Sequence, residues 1–189
     1  MLGLTPQLAL RLAVLCVLVV VLQVSAVSQV VIFGASADLT PLVVAAVGLL
    51  CGSLPGAIFG FCVGFLFDAA LVQTMGLTSF TCIVAGYGAG RLRELRDPQA
   101  VVVPMIVGAV ATAITTFGYG LLNFMLGIDA PVSFLLLRVI LATIVLNAII
   151  ALPVFALVRR WLAPALPDDP RRRRRRAYTT GGLSPLSRA

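Results

Sequence analysis

Apolar runs separated by short polar stretches organise this chain, and each run has the length of a helix. The first covers residues 8–27, with Arg11 near its start and Gln23 near its end. Residues 24–26 resemble the small-residue cleavage site of a signal peptide. The run exceeds the usual apolar core of such a peptide, however, and more spans follow, so a first transmembrane helix is predicted. Residues 28–37 are mixed, contain Gly34 and read as a short loop or interfacial turn. Asp38 then offers a side-chain acceptor to the free N–H groups of a helix start. Pro41 falls in the first turn, where a missing N–H costs no hydrogen bond. That second helix is predicted to about residue 51. Gly52, Ser53, Leu54 and Pro55 break the chain, and Pro55 opens a third helix over 56–71. A turn at 73–76, ending in Gly76, leads to a fourth helix over 77–90, which closes on Gly86, Tyr87, Gly88, Ala89 and Gly90. Arg91, Arg93, Glu94, Arg96, Asp97 and Pro98 form a charged loop. A fifth helix over 101–126 carries Pro104 and Asn123, and 127–131 is a tight turn. The sixth, 132–161, carries Arg138 and Asn147 and is kinked or loosened at Pro153.

Within this pattern, glycines recur every fourth residue at Gly48, Gly52, Gly56, Gly60 and Gly64, and Asp68 continues the spacing. Pro55 interrupts the row, so Gly56, Gly60, Gly64 and Asp68 are the part that shares one helical face. Three glycines there make a groove where another backbone comes close, and a carboxylate ends it. Packing inside the bundle and docking of a partner helix both fit the groove. At sixteen residues this helix spans about 24 Å, short of a hydrocarbon core of about 30 Å. Asp68 therefore lies near an interface or faces the protein interior.

Composition agrees with the pattern. The chain is 60% hydrophobic and 11% charged, with a mean hydropathy of +1.09. A soluble domain carries about 25% charged residues, so a polytopic membrane protein is the expected class. The fold expected is an all-α integral membrane protein, a six-helix transmembrane bundle over 1–163, followed by a disordered basic cytoplasmic tail over 164–189. Seven of the fourteen arginines lie in the stretch from Arg171 to Arg188, and the rest of the chain balances at seven basic against seven acidic residues. Arg171, Arg172, Arg173, Arg174, Arg175 and Arg176 form a run suited to anionic lipid, not to nucleic acid. With arginine-rich segments on the cytoplasmic side, the 91–96 loop, Arg159, Arg160 and both termini are expected there. Asp38, Asp68 and Asp129 then face outward.

Candidate chemistry is sparse. Cys16, Cys51, Cys62 and Cys82 all lie in apolar runs and there is no histidine, so no metal centre, cofactor or nucleophile–base pair is expected. Charged groups within spans are costly and invite a functional reading. Asp68 and Arg138 stand out among such groups. They form a possible intramembrane ion pair, with Asp129 as another partner for Arg138 and a snorkelling Arg138 as a further possibility. Tyr87 and Trp161 sit at predicted helix ends, where they anchor to the interface.

The following stretches, in order, resemble the bacterial rod shape-determining protein MreD family. They are Asp38 with Pro41, the glycines Gly52 to Gly64 with Phe61 and the run 64–68, then Met75, Gly76 and Leu77. Ala85, Gly86, Tyr87, Gly90 and Arg91 come next, and finally Asn147 and the residues up to Phe155. The resemblance covers about 8–162. Two features depart from it: Asp38 and Pro41 are separated where the family pattern has adjacent residues, and the arginine tail is not a family hallmark. The resemblance implies a non-enzymatic subunit in the plasma membrane that maintains rod shape and lateral peptidoglycan synthesis. Its partners would be MreC, the MreB filament and RodA with its transpeptidase. It also implies a six-helix architecture similar to the substrate-binding subunits of energy-coupling-factor transporters. That similarity leaves a vitamin-binding transporter subunit as the alternative, with Asp68 and Arg138 lining a pocket.

Overall fold

A computed structural model describes residues 6–25, 31–32, 35–72, 74–95, 102–127 and 134–165. They form six helices: α1 (Pro6–Ser25), α2 (Leu39–Cys51), α3 (Ser53–Ala70), α4 (Leu77–Leu95), α5 (Val102–Met125) and α6 (Phe134–Leu162). Among them α1, α3, α5 and the Arg138–Leu162 part of α6 are long and apolar enough to cross a membrane. The shorter α2 and the more polar α4 do not meet that measure.

Three helix starts share one device. Pro41, Pro55 and Pro104 are each the third residue of their helices, where the backbone N–H has no intrahelical acceptor to lose. The third helix therefore begins at Ser53, three residues earlier than expected, because Pro55 sits inside its first turn. A single residue, Gly52, separates α2 from α3. Its φ of +105° lies where an L side chain is strained. α4 runs to Leu95, so Arg91, Arg93 and Glu94 belong to its last turns and not to a loop. Pro153 stays within an unbroken α6. The stretch expected as a loop before α2 contains a small hairpin: β1 (Val31–Ile32) pairs antiparallel with β2 (Ala35–Ser36). β2 packs against α6. The turn 128–131 and the tail from 166 lie outside the described residues.

The centre of the bundle is α2. Every residue from Thr40 to Leu49 is buried, because α2 is apolar on all sides and surrounded on all sides. One cluster joins Leu15 and Val19 of α1, Val43 and Val47 of α2, Phe59 and Val63 of α3, and Val158 and Leu162 of α6. A second joins Ala45 and Leu49 of α2 to Ala85 and Ala89 of α4 and Val107 and Ala111 of α5. The outward faces stay apolar, as at Val17, Phe61, Phe117 and Ile149, which is the surface lipid requires.

Candidate functional site

The glycine row resolves into a crossing of backbones. α3 and α4 run antiparallel, and a methyl group added at Gly60 would overlap the Cys82 carbonyl. One added at Gly64 would overlap the backbone of Ser79, and one at Gly90 that of Ser53. Where α2 turns into α3, three glycines from three helices meet. A Cβ on Gly56 would lie 2.7 Å from both the Gly86 oxygen and the Gly48 Cα. Gly48, which Pro55 separates from the row in sequence, thus shares the same contact from the neighbouring helix. The groove is filled within the chain, as close packing of small residues allows. Gly52 and Gly76 act differently: both have positive φ, and a Cβ on Gly76 would meet nothing within 4 Å. Tyr87 is half exposed, and the Arg91 guanidinium lies 5.7 Å from its ring centroid, a cation–π contact one turn along the helix.

A second cluster surrounds the start of α2. Asn147 of α6 is completely buried. Its Oδ1 accepts from the Asp38 N–H at 3.1 Å, and its Nδ2 donates to the Asp38 carbonyl and to Thr112 Oγ1, each at 3.1 Å. Thr112 donates in turn to the Gly108 carbonyl at 2.9 Å. On the other side, Gln23 of α1 accepts from the Leu39 N–H at 2.8 Å and donates to the Ala37 carbonyl at 3.4 Å. Asp38 caps the helix through Oδ1, accepting from the Thr40 N–H at 3.2 Å. With Pro41 next, every N–H of the first turn is either bonded or absent. In lipid no water would otherwise satisfy those groups. Four segments therefore meet at one peptide, and three of the holding side chains (Gln23, Thr112 and Asn147) are not among the residues the sequence singles out as sites. The available signal was an isolated amide in an otherwise apolar run.

Residues 6–161 match the family model of rod shape-determining protein MreD. The chain belongs to the MreD family. No curated protein and no solved structure matches it.

In this MreD-family chain, Asp68 and Arg138 are not joined. Asp68 is completely buried, and its Oδ2 accepts from the Gly76 N–H at 2.8 Å, just ahead of α4. The positive end of the α4 dipole therefore faces this carboxylate. Oδ1 has no hydrogen-bond partner among the described residues. Arg138 is exposed on α6. It lies twenty-one residues before Arg159, about 32 Å along the helix axis, close to the thickness of a hydrocarbon core. Arg138 and the Arg159–Arg160 pair thus frame α6 like two interfacial markers. Arg11, Arg91, Arg93, Arg159 and Arg160 all fall at one end of the bundle. Arg11 of α1 bonds the Trp161 carbonyl of α6, Leu50 and Cys51 at the end of α2 pack in the cluster that holds Leu8 and Leu162, and Arg93 of α4 lies beside the next residue, Gly52. Asp38 and Asp68 lie toward the other end. Among the described residues no group of His, Cys, Asp and Glu could hold a metal ion.

Proposed function

We propose that this chain is a scaffold subunit of the cell-wall elongation complex in the plasma membrane, with its arginine-rich end in the cytoplasm. Family membership links it to rod shape determination, and MreD is a shape-determining membrane family, not an enzyme family. The observation that carries the finer reading is where its invested chemistry goes. The buried polar groups Gln23, Thr112 and Asn147 are spent on joining helices, and the glycine faces on packing them. That is the economy of a rigid platform whose working surface is its outside. The gathering of Arg11, Arg91, Arg93, Arg159 and Arg160 at one end, against Arg138 alone of the described arginines toward the other, supports the orientation through the positive-inside rule.

The partners in this reading are MreC, MreB and RodA with its transpeptidase, with anionic lipid at the arginine run 171–176. Purification of the tagged full chain in mild detergent, followed by mass spectrometry, tests it. Co-purifying MreC and cell-wall synthases are expected. A stoichiometric vitamin, or an ATPase module in their place, would contradict the reading and favour the transporter alternative.

A further inference from the structure

We propose that the seam between α1 and α6 at the arginine-rich end is a binding site for one anionic phospholipid, separate from the arginine tail. The seam is built around a contact between helices. Arg11 Nη1 donates to the Trp161 carbonyl at 2.7 Å. That carbonyl belongs to the last turn of α6, whose oxygens have no intrahelical donors. The bond fixes the guanidinium beside the C-terminus of α6 and uses one of its five N–H donors. Arg159 and Arg160 are exposed in the same turn, and Trp161 is 48% exposed. Neither α1 nor α6 contains an acidic residue, so neither helix supplies a carboxylate to neutralise this cluster. Guanidinium groups bind phosphate oxygens in paired hydrogen bonds, and tryptophan favours the headgroup level.

The apolar half of a lipid is matched as well. Val14, Leu18 and Val21 follow Arg11 at helical spacing, and all three are exposed. On α6, Leu157 and Pro153 run back from Trp161 on one face and are also exposed. The two stripes start at the same hydrogen bond and run toward the membrane interior. A phosphate at the arginines would therefore place its acyl chains along them. A soluble anion would use only the upper half of the site. The proposal rests on insertion in a membrane and is independent of the scaffold reading.

The test uses the full chain in detergent, with lipid retention read by native mass spectrometry after adding phosphatidylglycerol or phosphatidylcholine. Phosphatidylglycerol should be retained preferentially, and inorganic phosphate in excess should not displace it. The double variant Arg159→Gln and Arg160→Gln should weaken retention roughly 25-fold, about fivefold per arginine. Arg159→Lys with Arg160→Lys should recover most of it, which excludes a folding defect as the cause. A full-length variant with all six arginines of 171–176 changed to Gln should still retain lipid. Equal retention of both lipids, displacement by inorganic phosphate, or loss in the tail variant with retention in the seam variant would each overturn the proposal.

Discussion

Asn147 bonds both backbone groups of Asp38 and the Thr112 hydroxyl, so its removal strands partners in a dry interior. Asn147→Leu should destabilise the protein by about 1–3 kcal/mol for each backbone group left unpaired, read as a lower midpoint of thermal unfolding in detergent. Thr112→Val should cost less, because only one Asn147 donor loses its partner. Asp68→Asn keeps an oxygen to accept from Gly76, whereas Asp68→Leu removes it. The first should therefore melt near the parent protein and the second well below it. If both variants melt alike, the Gly76 bond is not what holds Asp68. Arg138→Gln should leave the melt unchanged, since the exposed guanidinium supports nothing in the core. At this scale the sequence was a partial guide. Asp38 as a helix cap was legible from its place before Pro41. Gln23 and Asn147 were visible as isolated amides, but their joint target, the peptide between Ala37 and Leu39, is set by tertiary approach. Asp68 and Arg138 attract pairing by opposite charge. The fold instead gives Asp68 a helix N-terminus and gives Arg138 the surface.

Helices come next, and here spacing carried more. The glycines of α3 read as a close-packing face, and the face is closed by α4 inside the same chain. Gly60→Leu should force the two backbones apart and abolish a monodisperse folded species on size-exclusion chromatography. Overpacking costs about 1–3 kcal/mol where side chains yield, and here the obstacle is the Cys82 carbonyl. Gly88→Ala, where a Cβ meets nothing within 4 Å, should leave the profile unchanged. Equal behaviour of the two variants would remove the packing role of the row. α3 starts at Ser53, ahead of the expected residue 56, because a proline signals a break as readily as a first turn, and only the backbone distinguishes them. α4 ends at Leu95, beyond the expected residue 90, although Arg91, Arg93 and Glu94 look like loop residues. All three have good helix propensity, and they continue the helix past the apolar segment.

At the scale of the molecule, the six helices and their order follow from the apolar runs. What the runs do not reveal is that the shortest helix, α2, is the hub. An all-apolar helix of 13 residues looks too short to span, and its burial depends on five neighbours. The gathering of Arg11, Arg91, Arg93, Arg159 and Arg160 at one end is legible, because each predicted span reverses the chain. In the proposed orientation, a fluorescent protein fused to the C-terminus should fluoresce in cells, and a periplasm-dependent reporter there should stay inactive. The reverse pattern would overturn the orientation while leaving the bundle intact.

Deleting the gene from its own host and restoring it in variant forms tests the link between this bundle and shape most directly. Cells lacking the protein should round up, and the parent sequence should restore rods. Gly60→Leu should fail to restore them, while Gly88→Ala should succeed at the same membrane abundance. Rods that persist without the protein would contradict a shape-determining role for this chain.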